Sequence, residues 1–225
     1  TRKPIVRVLF TGRPLILNWE QEHIPAILNV WFGGTEAAGA IGDVLFGDAA
    51  PGGRLTTSFP RHVGQLPMTY AYKSTGRPLQ SSGFEKFRSN YLDVSNDPLY
   101  PFGYGLSYTT FAYGPVTLDR TSMTSDGRIV ASVTLTNTGD RDGEEVVQFY
   151  IRDVVCSITR PVKELKGFQR VALKRGESRR IDFEITLPML KFWNAHLDHV
   201  AEKGEFEVMI GGNSAETQKK SFEFL

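Results

Sequence analysis

Histidines and the single cysteine are the first residues of this chain to consider for metal binding or nucleophilic chemistry. His196 and His199 are three residues apart, a spacing that can place two metal ligands on one face of a helix. No third ligand is evident, and Leu197-Asp198 between them suits a short connection, so we expect no metal site. Cys156 follows an apolar strand pattern without a histidine nearby in sequence. This favours a small, half-buried side chain over a nucleophile.

Pairs of carboxylates would suit acid–base chemistry, and glycoside hydrolysis in particular uses two acids about 5–10 Å apart across the sugar. The candidates are Glu20 with Glu22 and the adjacent Glu144 and Glu145. Both pairs stand on segments that we interpret as exposed, where acidic residues are usually solvated. We therefore expect no catalytic residue in either pair.

Other common site patterns are incomplete or missing. Gly103-Tyr104-Gly105 lacks the third glycine of a dinucleotide fingerprint and follows no clear strand, and no Gly-x-Ser-x-Gly elbow occurs. We expect no cofactor. The net charge of +1 offers no strong field for nucleic acid. No apolar run approaches the roughly 20 residues that span a bilayer, so we expect no membrane span.

The first 50 residues alternate strand and helix patterns. Apolar residues 5–10 predict a buried strand, and helical spacing over residues 19–28 predicts a helix. Residues 27–32 predict a second strand, after which Thr35 is a suitable cap for a helix that ends near Phe46. This order predicts a parallel α/β layer. Two strands and two helices cannot cover both faces of such a layer, so we expect upstream residues or another chain to complete it.

The chain becomes irregular from about residue 61 and then strictly alternating from about residue 111. Residues 71–110 mix prolines, glycines and aromatic residues, unlike a polar flexible linker, and predict an ordered wrap over a neighbouring surface. Beyond it, apolar residues recur at every second position, which predicts about seven strands of an immunoglobulin-like or fibronectin type III-like sandwich. The lack of a cysteine pair favours the second. The clearest runs are residues 129–136, 147–151, 181–187, 206–210 and 221–225.

Several motifs, in order along almost the whole chain, resemble those of family 3 glycoside hydrolases, especially periplasmic bacterial β-glucosidases. Trp-Phe-Gly-Gly-Thr-Glu at 31–36 resembles the second domain of that family. Tyr-Pro-Phe-Gly-Tyr-Gly-Leu-Ser-Tyr-Thr at 100–109 is similar to the hallmark that precedes its fibronectin-like domain. The remaining similar segments are residues 41–48, 51–55, 58–60, 136–139, 143–148 and 160–168.

The resemblance implies a partial α/β sandwich with a parallel sheet, followed by a fibronectin type III-like β-sandwich. It implies boundaries at 1–70 for the C-terminal part of the α/β domain, 71–110 for the interdomain wrap and 111–225 for the fibronectin-like domain. The partner would be an upstream catalytic barrel with the rest of the α/β domain, in the same polypeptide or a nicked partner chain. The enzyme would be periplasmic or secreted, of bacterial origin.

The same resemblance implies a retaining β-glucosidase that removes terminal β-D-glucosyl residues from oligosaccharides. The family's nucleophilic aspartate lies in the barrel, and its acid/base glutamate lies in a loop before the strand at 5–10. Neither has a matching position here, so no catalytic residue is transferred. Glu36 corresponds to an acid at a helix start, for which a capping, structural role is expected. Aromatic rings stack on sugar faces, so Phe84, Phe87 and Tyr91 are the candidates to lie near the sugar, and simple interdomain packing is the stronger alternative for them.

Two other functions are compatible with the residues. A carbohydrate-binding or interaction module without hydrolase activity would use Phe192 and Trp193 as a flat sugar platform. Against it, both follow a strand with core-like alternation, so we expect one of them to pack inside. A purely structural fragment from nicking or truncation is the third interpretation, and it is compatible with the enzyme interpretation.

Overall fold

A computed structural model describes residues 3–78 and 85–225 of the chain. The N-terminal part, which we call the α/β layer, pairs two short strands in parallel, from Val6 with Ala26 to Leu9 with Asn29. A parallel pair needs a crossover connection, and the first helix of the chain lies in it. The elements of the α/β layer are β1 Val6–Leu9, α1 Asn18–His23, β2 Ala26–Asn29 and α2 Ala37–Phe46.

The boundaries predicted for the first helix and the second strand were wrong, for reasons that the local sequence contains. Helix α1 ends at His23 rather than near residue 28, because Pro25 forces the preceding Ile24 into an extended conformation, with φ −109° and ψ 118°. Strand β2 ends at Asn29 rather than Phe32, and Trp31 just beyond it has a left-handed backbone with φ 50°.

The predicted cap of the second helix was also wrong. Glu36, not Thr35, holds the N-cap position of α2, and its side chain makes no capping hydrogen bond. The predicted end at Phe46 is confirmed. Gly47 follows it with φ 88°, a conformation that glycine adopts without the strain a Cβ would cause.

The α/β layer has a very small core. Leu9 and Leu17 are buried with Phe59, but α2 buries none of its residues. Large apolar side chains of this layer lie in solvent instead: Phe32 is 85% exposed and Phe46 is 88% exposed. The layer therefore carries apolar surface that the described part of the chain leaves uncovered.

Residues 111–225 form a β-sandwich of two antiparallel-rich sheets. The strands are β3 Phe111–Tyr113, β4 Thr117–Leu118, β5 Ser122–Met123, β6 Arg128–Asn137, β7 Gly143–Asp153, β8 Glu164–Leu173, β9 Ser178–Thr186, β10 Phe192–Trp193, β11 His199–Val200, β12 Gly204–Gly211 and β13 Thr217–Phe224, with the short helix α3 Leu187–Leu190 between β9 and β10. One sheet has the order β5-β13-β12-β7-β8, and in the other β6 pairs with β3, β4 and β9.

The predicted alternation places the sandwich core correctly. Ile129, Val133 and Leu135 of β6 are at most 2% exposed, and Phe149 of β7 stacks on Phe183 of β9 across the two sheets, with ring centroids 4.9 Å apart. The alternation missed β8, whose apolar residues do not alternate. It also extended β9 by one residue, because Leu187 begins α3 with a proline in its first turn.

Between the α/β layer and the sandwich lies the connecting segment, residues 48–110. Its regular structure within the described residues is one short 3₁₀ helix at Val63–Gln65 and isolated bridges such as Phe59 with Tyr100. No helix among residues 3–78 and 85–225 combines the length and apolar character needed to cross a membrane.

Candidate functional site

Residues 99–105 of the connecting segment lie between the two folded parts and bond to both. Toward the N-terminal side, the amide of Phe59 donates to the carbonyl of Tyr100 at 2.8 Å, and the amide of Gly103 donates to the carbonyl of Leu55 at 2.7 Å. Phe59 is itself 1% exposed in the small core that it shares with Leu9. The segment is thereby fixed to the α/β side by its backbone.

The same segment bonds to the sandwich on its other side. The amide of Ser214 donates to the carbonyl of Phe102 at 2.9 Å. The side-chain amide of Gln148, on β7, donates to the carbonyl of Gly103 at 3.2 Å and to that of Gly212 at 2.6 Å. Gln148 is only 3% exposed, so its polar group is satisfied inside this contact rather than by solvent. We call residues 99–105 with these partners the junction.

Aromatic rings fill the space beside the junction. Tyr70 stacks on Phe102 with centroids 4.4 Å apart and meets Tyr150 edge-on at 5.7 Å. The Tyr70 hydroxyl accepts a hydrogen bond from the amide of Leu165 at 3.3 Å. Burial, and after it the nearby Tyr70, raises the pKa of Tyr150, so the Tyr150 phenol stays neutral there. Tyr150 is fully buried against these rings, although its neighbours on β7, Phe149 and Ile151, face the sandwich core.

A buried ion pair also crosses between the two parts. The Arg54 guanidinium Nη2 lies 3.0 Å from Oε1 of Glu145, and the two side chains are 7% and 9% exposed. The same carboxylate oxygen accepts from the amide of Val146 at 2.7 Å. The prediction that Glu144 and Glu145 are both solvated was therefore wrong for Glu145. Glu144 is 40% exposed and pairs with Arg170.

The Tyr113 hydroxyl lies beside this ion pair. It is buried and has no hydrogen-bond partner among the described residues. Burial, and then the negative charge of Glu145, raises the pKa of Tyr113, while Arg54 acts in the opposite direction. The phenol is therefore neutral.

Glu20 and His199, two of the other candidate residues, each contact a partner of their own. Glu20 forms an ion pair with Arg7 at 2.7 Å, which ties α1 to β1. His199 stacks on Trp193 with centroids 4.8 Å apart. Within the described ranges, no group of three or more His, Cys, Asp or Glu residues could hold a metal ion. Cys156 is partly buried, and burial raises the pKa of its thiol, which disfavours the thiolate that a nucleophile requires.

A hollow of about 400 Å³ between β7, β8 and β9 contains three carboxylates, but each is already bonded. Asp142 accepts from the amide of Arg175, and Glu177 accepts from the amide of Lys174, both at 2.8 Å. Glu144 is paired with Arg170. The hollow therefore offers no pair of free acids arranged across a substrate.

Two of the three predicted sugar-proximal residues lie together on one exposed loop, residues 85–97. Phe87 is 73% exposed with a left-handed backbone, φ 66°, and Tyr91 is 43% exposed. The side chain of Asn96 holds the loop, because it accepts from the amide of Tyr91 at 3.1 Å and donates to the carbonyl of Ser89 at 2.9 Å. Phe84, the third, lies outside the described residues.

The sequence analysis did not identify the side chains that hold the exposed loop and the two folded parts in place. Asn96 is a short polar residue in a loop, and its two backbone hydrogen bonds have no signal beyond the general tendency of asparagine to form turns. Arg54 and Glu145 are 91 positions apart. Only the apolar surroundings of Glu145, before Val-Val-Gln-Phe, hinted that this acid enters a buried strand.

Comparisons with known proteins agree along the chain. Residues 1–108 match the glycosyl hydrolase family 3 C-terminal domain, and residues 145–214 match the fibronectin type III-like domain. The chain is 52% identical over all 225 residues to the periplasmic beta-glucosidase of Salmonella typhimurium, of which it covers 29%. It is 45% identical over 214 residues to a beta-xylosidase of Formosa agariphila, covering 95% of this chain and 29% of that protein.

A solved structure has the same fold. The beta-glucosidase of Listeria innocua in complex with isofagomine superposes with a TM-score of 0.94 at 41% identity, over 99% of this chain and 31% of that one. The chain therefore belongs to glycosyl hydrolase family 3. Within that family it corresponds to the C-terminal part, a partial α/β sandwich followed by a fibronectin type III-like sandwich, and it spans about a third or less of these relatives' length.

The junction predicts a large cost for a methyl group at Gly103. Its φ of 82° costs a non-glycine residue roughly 1–2 kcal/mol, and a Cβ would stand 2.1 Å from Oε1 of Gln148. We expect Gly103→Ala to lower the free energy of unfolding by about 3 kcal/mol or more, since displaced Gln148 loses buried hydrogen bonds. Urea unfolding followed by tryptophan fluorescence measures this.

Gly176→Ala is the matched control, because Gly176 has a similar φ of 73° but nothing within 4 Å of the added Cβ. It should cost only the roughly 1–2 kcal/mol of backbone strain. Equal losses at the two positions would contradict the contact between Gly103 and Gln148.

Proposed function

We propose that this chain is the C-terminal part of a retaining β-glucosidase that hydrolyses terminal non-reducing β-D-glucosyl residues of oligosaccharides. The observation that carries the proposal is the 52% identity over the whole chain to a protein named as a periplasmic beta-glucosidase. In this proposal the nucleophilic aspartate and the acid/base glutamate lie upstream of the described residues, in keeping with the already paired acids found within them.

The partner in this proposal is an upstream barrel together with the remaining strands of the α/β domain. The uncovered side chains of the α/β layer, among them Phe32 and Phe46, support it, because large apolar groups in water cost about 25 cal/mol per Å² relative to burial. The proposed units are residues 1–70, 71–110 and 111–225. The beginning of β3 at Phe111 supports the last boundary.

The proposed role of this chain is to hold the active site in shape. A retaining glycosidase keeps its two carboxyl groups only about 5–5.5 Å apart, so domains that contribute one each must be fixed to within a fraction of that distance. The junction, with its backbone hydrogen bonds on two sides, supports such a role. The named location of the Salmonella relative supports a periplasmic or secreted, bacterial enzyme.

The exposed aromatic loop is the proposed substrate-facing part, with Phe84, Phe87 and Tyr91 as the residues nearest the sugar. Phe87 and Tyr91 present ring surface on a loop that is already ordered by Asn96. An ordered aromatic residue binds a sugar face without an additional cost for immobilising the loop.

The first prediction concerns the location of the catalytic groups. The 225-residue chain alone should give no turnover of an aryl β-glucoside, because it lacks two acids placed across a bond. The polypeptide that includes the upstream residues should hydrolyse it, and so should the chain mixed with the separately produced upstream part. Release of the aryl alcohol is followed by absorbance, and turnover that copurifies with the isolated chain would contradict the proposal.

A second prediction tests the aromatic loop in the full-length polypeptide. Phe87→Ala and Tyr91→Ala should each raise KM for a β-linked glucose disaccharide about 3- to 10-fold, the effect of losing roughly 0.5–1.5 kcal/mol of ring contact. Leu92→Ala is the control, since Leu92 is 86% exposed on the same loop without a ring. If all three substitutions raise KM equally, or if none of them changes KM, the two rings serve packing rather than sugar binding.

One observation favours the alternative of a carbohydrate-binding module. Trp193 is 63% exposed, although Phe192 is 4% exposed and Arg160 covers its ring at 4.7 Å, so at most one of the two rings can contact a sugar. Under the main proposal, the chain should not be retained on insoluble β-glucan in a pull-down assay. Retention that Trp193→Ala abolishes and Phe168→Ala leaves intact would favour the module instead, because Phe168 is an equally exposed ring of the same sandwich.

A further inference from the structure

The ion pair between Arg54 and Glu145 is unusual for its burial. Both side chains are about nine-tenths covered, and Arg54 approaches one carboxylate oxygen with Nη2 at 3.0 Å and Nε at 3.3 Å. The neighbouring ion pair within the sandwich is exposed by contrast: Arg170 with Glu144, next to Glu145 in sequence, is 63% and 40% exposed. Water therefore screens the attraction between Arg54 and Glu145 less than it screens the neighbouring pair.

The position of the pair matters as much as its burial. Arg54 lies in the turn at residues 52–55, whose last residue bonds to Gly103, while Glu145 lies near the start of β7. The turn also touches residue 105 closely: a Cβ on Gly105 would stand 2.8 Å from the carbonyl oxygen of Gly53. The pair is thus a side-chain link from the α/β side to the sandwich, in addition to the backbone hydrogen bonds of residues 99–105.

The energetics of a buried ion pair indicate that it positions the two parts of the chain more than it stabilises them. Taking two charges out of water costs several kcal/mol each, and apolar residues of similar volume are often as stabilising or more so. A buried charge-assisted hydrogen bond is directional, however, and a sandwich displaced along the junction would leave both charges buried without a partner. Stacked rings such as Tyr70 on Phe102 tolerate sliding far better.

We infer that Arg54 and Glu145 fix the register of the β-sandwich against the α/β layer and act as positioning residues for the active site of the complete enzyme. The second part of this inference rests on the proposed function. The first does not, because the register of two parts of one chain can be measured without any substrate.

The test uses the full-length polypeptide in four forms: wild type, Arg54→Met, Glu145→Leu and the double variant. Each single variant leaves a buried charge alone and should lower the melting temperature. The double variant should recover most of that loss, because methionine and leucine fill the site without charge. Its kcat/KM for an aryl β-glucoside should nevertheless stay on the order of tenfold or more below wild type, the effect of a misplaced catalytic group.

A distance measurement gives a readout without catalysis. Spin labels on cysteines at the exposed positions Asp48 and Lys220, in a Cys156→Ser background, span the α/β side and the sandwich. The distance distribution should be narrow in the wild type and broader or displaced in both single variants and in the thermally recovered double variant. Glu144→Leu with Arg170→Met is the matched control, since it removes the neighbouring exposed pair.

The outcomes separate the possible roles. A double variant that recovers melting temperature, distance distribution and kcat/KM together would overturn the inference, because the pair would then act only on stability. A control double variant that broadens the distribution as much would overturn it too. If the wild-type polypeptide fails to hydrolyse the glucoside, the proposed function fails, while the distance distributions still decide the register.

Discussion

The backbone of residues 99–105 bonds in two directions, and the arrangement of the chain depends on that constraint. Its amide and carbonyl groups pair with Leu55 and Phe59 on one side and with Gln148 and Ser214 on the other. Buried backbone groups must find partners, so neither side can move away without leaving several of them unpaired. The α/β layer and the sandwich are therefore joined by the same interaction that orders the segment between them.

The two parts that meet there differ in how far each buries a core of its own. The sandwich closes a core between its sheets, in which Ile129, Phe149 and Phe206 are at most 1% exposed. The α/β layer has two parallel strands and a helix with no buried residue, and parallel sheets occur almost only with both faces covered. The exposed Phe32 and Phe46 of this layer are therefore available to further structure. This asymmetry is consistent with the proposed role, in which a rigid sandwich is attached to a layer that packs against upstream residues.

Elements that depend on a local sequence pattern could be predicted, whereas elements that depend on contacts between distant residues could not. Period-2 alternation located β6, β7 and β12, because one face of each strand packs on the core. The end of α1 at His23 was readable from Pro25 but was overlooked in favour of the helical spacing that continues past it. Strand β8 escaped because its residues from Phe168 to Arg170 are exposed, and its pairing with β7 gives the sequence no apolar pattern. The aromatic residues of segment 71–110 were evident from composition, whereas their proposed place near the sugar came from the family resemblance.

Glu145 shows why a site of this kind resists sequence analysis. An acid next to another acid on a polar turn is normally solvated, and Glu144 is. Alternation along β7 points the neighbouring side chain to the opposite face, where the connecting segment covers it and Arg54 meets it. Whether each of the two carboxylates is buried or solvated thus depends on its position along β7 and on Arg54, which is 91 positions away from Glu145. Once strand β7 is placed, however, Glu145 falls on the same face as the buried Val147 and Phe149, and a charge on that face must then have a buried partner.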